Sequence, residues 1–145
     1  MSAQKALKLD RKNNLYLQDT GTEKGRGVFC TTAIKAGEDI EVTPALILNE
    51  AANEHANKTI LSNYVFVVGN ISKKLRQKSA IKNVKETSCV IMGIASFCNH
   101  DENPNAEILW EEREGSLYYI LRATRDIPAN TEIVTSYGDD WFDER

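Results

Sequence analysis

The chain has 145 residues and a formal net charge of −3, with 41% hydrophobic and 27% charged residues. That size and balance fit one soluble domain with a modest core. The slight acidity argues against a non-specific nucleic-acid binder, which normally carries a basic surface, and it suits a basic substrate such as a lysine-rich tail. The longest apolar run, Val65-Phe66-Val67-Val68, is far too short to span a bilayer.

Met1 to Asn14 is polar and lysine-bearing, without an apolar stretch of signal-peptide length. An intracellular, cytoplasmic protein is the expectation, with a nuclear destination or secretion into a host left open. Three prolines, eight glycines and many short β-rich runs predict a mostly β domain with short helices. Leu15-Tyr16-Leu17 reads as a first strand. Val28 to Thr32 reads as a second, after the turn Gly25-Arg26-Gly27. Ile40-Glu41-Val42-Thr43 alternates as a half-buried strand should, and Ala45 to Leu48 continues the pattern after Pro44.

Asn49 to Lys58 is polar and alanine-rich, hence a helix or a loop. Ile60 to Val68 is apolar and β-branched, stopped by Gly69-Asn70. Ile71 to Glu86 carries five lysines and one arginine in sixteen residues, either a solvated insertion or a basic contact surface. Ser88 to Phe97 mixes small and apolar residues without period 2, which predicts a short packed helix. Ile108-Leu109-Trp110 and Leu117 to Leu121 predict a hairpin, with Glu111 to Gly115 as its loop and Gly115 at positive φ. Tyr118 and Tyr119 face opposite sides of that strand, so one belongs to the core.

Two segments echo each other. Ala33-Ile34-Lys35-Ala36-Gly37-Glu38-Asp39-Ile40 resembles Asp126-Ile127-Pro128-Ala129-Asn130-Thr131-Glu132-Ile133. Gly37 and Asn130 fall at equivalent places, and both residue types tolerate left-handed backbone. Each copy predicts a tight turn leading into a strand.

The three cysteines, Cys30, Cys89 and Cys98, are widely spaced, with no C-x-x-C pair. They read as reduced, partly buried thiols, and no metal site is expected. The only other histidine besides His100 is His55. Gly25-Arg26-Gly27 lacks the longer pattern of a dinucleotide site, and alone it is a turn. His100, taken alone, fits a satisfied core histidine, and Tyr137 a core or interface tyrosine.

Read together and in order, three segments carry more. Gly25-Arg26-Gly27-Val28, then Phe97-Cys98-Asn99-His100 ahead of Pro104-Asn105, then Glu132-Ile133-Val134-Thr135-Ser136-Tyr137-Gly138 resemble the motifs of a SET domain. The resemblance covers roughly residues 16–142. Two departures stand out: Asp101 and Glu102 follow the histidine where the family usually has serine and cysteine, and Ser96 stands where arginine usually precedes the phenylalanine. Ser136 to Asp140 is similar to a string found near the end of small viral members. The absence of a cysteine-rich segment after it suggests the minimal microbial or viral type.

The resemblance implies a single SET domain over residues 1–145, with a core of about 15–142 and a variable insert of about 49–87. It implies a β-clip fold of small curved sheets with a threaded C-terminal segment. It also implies methyl transfer from S-adenosylmethionine to a neutral lysine amine of a histone or another protein. The alternative is a SET-fold peptide-binding module that has lost catalysis, or a structural β protein whose Asn-His and Tyr are core residues. Cofactor binding would fall to Gly25, Arg26, Gly27, Phe97, Asn99, His100, Tyr137, Trp141 and Phe142, and catalysis to Tyr137 with Tyr64 as a second active-site tyrosine. Trp141 and Phe142 would wall the lysine channel or cover the cofactor; a plug for the C-terminal tail is the equal alternative. In some branches a bulky aromatic two positions before the tyrosine limits space. Thr135 stands there, which leaves room for more than one methyl. The implied partner is a lysine-containing protein or peptide, with no direct nucleic-acid or membrane contact and a homodimer left open.

Overall fold

A computed structural model of the chain describes residues 10–11, 13–69, 86–113 and 115–136. Among them are ten strands, one short α-helix and two 3₁₀ turns, the mostly β class that the sequence predicts. The basic segment within Ile71 to Glu86 lies almost wholly outside the described residues, as do Tyr137, Trp141 and Phe142.

The larger sheet runs β5 (Val65–Gly69), β6 (Glu86–Ile91), β4 (Asp39–Leu48), β9 (Ser116–Ala123), β8 (Ala106–Arg113), with β1 (Asp10–Arg11) also pairing β4. β4 serves two partners in succession. Asp39 to Pro44 pairs β9, and Ala45 to Leu48 pairs β6. Pro44, which has no N–H to give a ladder, sits where one partner hands over to the other. The sheet curls until its two edges meet, where the rings of Phe66 on β5 and Trp110 on β8 lie 6.4 Å apart. The smaller sheet runs β2 (Leu15–Asp19), β3 (Arg26–Cys30), β10 (Glu132–Thr135), β7 (Asn99–His100). Its last pair is parallel, aligning Val134 with Asn99 and Thr135 with His100.

The two echo segments pair with each other. Ile34 and Ile127 exchange backbone hydrogen bonds of 2.8 and 2.7 Å. Gly37 (φ +86°) and Asn130 (φ +59°) are both left-handed, as the turns require. The apolar residues that follow, Ile40 and Ile133, are fully buried in a core shared with Val28, Cys30, Cys89, Tyr119 and Leu121. Period 2 is clean on β9, where Leu117, Tyr119, Leu121 and Ala123 are buried, so Tyr119 is the core tyrosine of its pair.

Several sequence expectations are corrected. Ser88 to Phe97 is not a helix: it is the end of strand β6 followed by a 3₁₀ turn, Ile94–Phe97. β6 lies between β5 and β4, and both its faces are at least half covered, which hides the strand period in its composition. Ile60 to Val68 splits into a 3₁₀ turn, Ile60–Tyr64, and β5. Thr59 starts that turn by accepting the Leu61 N–H at 3.1 Å. The hairpin strands run further than predicted: Arg113 pairs Ser116, leaving a two-residue connection with Gly115 at φ +74°. On β4 the alternation fails, because a bulge between Asp39 and Glu41 turns both Ile40 and Glu41 inward. The polar stretch 49–58 forms helix α1 (Glu50–Ala56), capped by the Asn49 side chain on the Ala52 N–H at 2.8 Å.

Candidate active site

Three chain segments meet on one face of the smaller sheet, where the antiparallel β3–β10 and parallel β10–β7 registers bring them side by side. β3 begins with Arg26-Gly27, β10 begins with Glu132, and β7 begins with Asn99. Asn99 Nδ2 donates to the Arg26 carbonyl at 3.1 Å and to Glu132 Oε2 at 2.6 Å. These two acceptors fix which end of the amide is nitrogen and use both its protons. The Asn99 carbonyl oxygen is then the acceptor it can offer a ligand. Gly27 lies directly beneath: a Cβ there would run into the Glu132 carboxylate and sit 3.0 Å from Asn99 Nδ2. Gly27 is needed for close approach and Gly25 for its positive φ of +76°.

Beside this junction opens a cavity of about 580 Å³, lined by Glu23, Lys24, Arg26, Asn63, Tyr64 and the run Ser96 to Cys98. Its aromatic wall is continuous. The Arg26 guanidinium carbon stands 5.9 Å from the Phe97 ring centre, and Phe97 meets Tyr64 edge-on at 6.0 Å. The same Tyr64, Ser96 and Phe97 also line a second, more apolar cavity with Leu17, Leu61 and Met92, so one wall separates two spaces.

Lys24 Nζ lies 3.6 Å from Asp101 Oδ2, tying the loop before β3 to the loop after β7. Asp101 also accepts the Asn103 N–H at 2.8 Å. That hydrogen bond first, and the Lys24 charge after it, hold the Asp101 carboxyl below the usual carboxylate range. Cys89 and Cys98 are buried free thiols. Burial pushes Cys89 up to about 12 and Cys98 further still, Cys98 also feeling the charges of Glu41 and Glu132.

The structure thus brings Arg26, Gly27, Phe97, Asn99 and Tyr64 to one place. His100 is half-buried on β7, aligned with Thr135. Thr135 is buried, and its hydroxyl has no hydrogen-bond partner among the described residues. Tyr137, two residues beyond the end of β10, lies outside the described residues with Trp141 and Phe142. Sequence reasoning missed Glu132 as a site residue, and the Lys24–Asp101 tie. The only signal for the tie was the acidic pair that replaces the family's usual residues after His100. Among the described residues no group of three or more His, Cys, Asp or Glu is placed to hold a metal, and no helix is long and apolar enough to cross a membrane.

A family model described as SET domain matches residues 25–138. A Schizosaccharomyces pombe protein named histone-lysine N-methyltransferase, H3 lysine-37 specific, is 30% identical over 135 residues, 92% of this chain and 80% of that protein. Histone-lysine N-methyltransferase set9 of Aspergillus fumigatus is 43% identical over 58 residues, 40% of this chain but only 9% of its own length. Among solved structures, the Neurospora SET domain protein DIM-5, a histone lysine methyltransferase, superposes with a TM-score of 0.65 at 22% identity. That match covers 86% of this chain and 52% of the other, and at such identity the likeness speaks for the fold alone.

Proposed function

This chain belongs to the SET domain family, and from that premise we propose that it is an S-adenosylmethionine-dependent protein-lysine N-methyltransferase acting on a histone or another protein. The names of its relatives support a methyltransferase with a protein or peptide substrate. The observation that carries the finer reading is the junction of Gly27, Asn99 and Glu132 beside the 580 Å³ cavity. The cavity is of small-molecule size, and the glycine cradle with its polar groups adjoins it through the lining residues Arg26 and Cys98. Its chemistry suits a cationic ligand: an amide oxygen to accept from an ammonium, and a carboxylate close behind it.

The cofactor supplies an electrophilic methyl on a sulfonium, a good leaving group, so the hard chemistry is its own. The chain's part is to bind, orient and keep dry. Arg26, Gly27, Asn99 and Glu132 would hold the methionine end, with His100 near by. Phe97 and Tyr64 would separate donor from acceptor and exclude water. Tyr137 would orient the incoming amine, with Trp141 and Phe142 as further walls. The domain would comprise a core of about residues 15–142 with an insert of about 49–87.

The test is calorimetric titration with S-adenosylmethionine, then transfer of labelled methyl to histone and to peptides. Saturable binding and label on lysine are expected. No binding would end the reading, and binding without transfer to any lysine substrate would favour the peptide-binding module instead.

Two further outcomes are expected. A lysine amine with a pKa near 10.4 costs about 4.6 kcal/mol to deprotonate at pH 7. The neutral amine is therefore scarce, and the single-turnover rate should rise about tenfold per pH unit from about pH 7 to 9. A flat profile would mean that a step other than transfer to the amine limits. Asp101→Asn should weaken cofactor binding by no more than about fivefold, because its ion pair with Lys24 is exposed. The difference should fade in about 0.5 M salt. A larger or salt-insensitive loss would show Asp101 touching the ligand.

A further inference from the structure

We propose that Glu41 is a positioning residue for the cofactor cavity: its carboxylate, delivered inward by the β4 bulge, holds the turn that carries Ser96, Phe97, Cys98 and Asn99. Glu41 is 3% exposed, 53 residues before the turn in sequence. Its Oε2 accepts the Ile94 N–H at 2.9 Å, and its Oε1 accepts the Ala95 N–H at 3.1 Å. The buried Tyr119 hydroxyl donates to the same Oε1. All three donors are neutral, and two are backbone groups at the start of the 3₁₀ turn Ile94–Phe97.

Such a turn leaves its first N–H groups without partners inside it, and a capping side chain normally satisfies one. Here the capping position is Gly93, which has no side chain to offer. Glu41 does the work from another strand. The glycine itself is required by the arrangement. A Cβ at Gly93 would lie 2.6 Å from the Tyr119 hydroxyl and 2.7 and 2.8 Å from the two Glu41 oxygens. Gly93, Glu41 and Tyr119 therefore form one packed unit on β4, β9 and the turn.

What leaves that unit is the cavity wall. Three residues along the turn, Phe97 meets Arg26 and Tyr64, and two further on, Asn99 meets Glu132. A shift at Ile94 is passed straight to these groups, because the turn spans only four residues. Glu41 touches neither ligand, so its effect should fall on donor affinity and not on the chemical step.

The inference rests on the functional reading above for its ligand, and the experiment separates the two. Glu41→Gln keeps the shape but aims an amide N–H at a backbone N–H. Amide hydrogen exchange, read residue by residue, should quicken at least tenfold over Ile94 to Asn99 and stay unchanged on β8 and β9. The KM for S-adenosylmethionine should rise about tenfold, with kcat within about threefold. Tyr119→Phe keeps both backbone bonds to Glu41, losing only the longer 3.4 Å share of the Ala95 N–H that the phenol oxygen accepts, and should change KM by less than about threefold. If Glu41→Gln does not fold, Glu41→Asp, which keeps two acceptor oxygens on a shorter arm, takes the same readouts. Exchange quickened evenly across all strands, or a loosened turn with an unchanged KM, would overturn the proposal. A wild type that binds no S-adenosylmethionine would overturn the functional reading instead, while the exchange pattern still decides whether Glu41 holds the turn.

Discussion

Gly27→Ala should weaken binding of S-adenosylmethionine about thirtyfold or more and lower the thermal midpoint by about 5 °C. The added methyl has no room: it collides with the Glu132 carboxylate and presses on Asn99 Nδ2. Either Glu132 swings away and breaks its 2.6 Å bond to Asn99, or β3 and β10 move apart. Overpacking of this kind costs about 1–3 kcal/mol, and the loss of a hydrogen bond to a charged group is of the same size. About 2 kcal/mol corresponds to both figures, as a binding ratio and as a midpoint shift. The control is Gly21→Ala. Gly21 has a positive φ of +75° but nothing within 4 Å of its added Cβ. Its cost is backbone strain alone, about 1 kcal/mol, a midpoint lower by about 3 °C with donor affinity intact. Calorimetry and thermal melts on the two variants separate a cradle from a merely left-handed turn. Equal donor affinity in Gly27→Ala and wild type would remove this junction from the binding site.

What the sequence made legible was local. The left-handed turns at Gly37 and Asn130 were readable because a turn is decided by a few adjacent residues, and Gly115 was readable for the same reason. The period of β9 was readable because one face is core and the other half-exposed. β6 was misread because both its faces are covered, which makes a strand look like a packed helix. Glu41 was invisible because a single bulge reverses which side chains point inward, and no composition rule marks where the register shifts. The site itself was legible only through motif resemblance. Gly27, Asn99 and Glu132 are separated by 72 and 33 positions in sequence, and no periodicity joins them. Their meeting follows from β10 pairing β3 on one side and β7 on the other.

Tyr137→Phe should lower kcat at least a hundredfold, about 2.7 kcal/mol in the barrier, while leaving the fold and donor affinity close to wild type. The ring is kept, and only the hydroxyl is removed. That hydroxyl is the group proposed to orient the amine and to meet the electron-poor methyl through weak C–H···O contacts. Such contacts count mainly as the methyl passes between donor and acceptor, so their loss falls on the chemical step. Glu41→Gln is expected to do the reverse, moving KM far more than kcat, which makes the two variants controls for each other. The pH profile adds a further discrimination. In the proposed role Tyr137 would orient the amine without taking its proton, so Tyr137→Phe should be slow at every pH and keep the wild-type rise between about pH 7 and 9. Single-turnover measurements across that range check this directly. A variant as fast as wild type would remove Tyr137 from the mechanism, and a variant that lost the pH dependence would make the phenol a base.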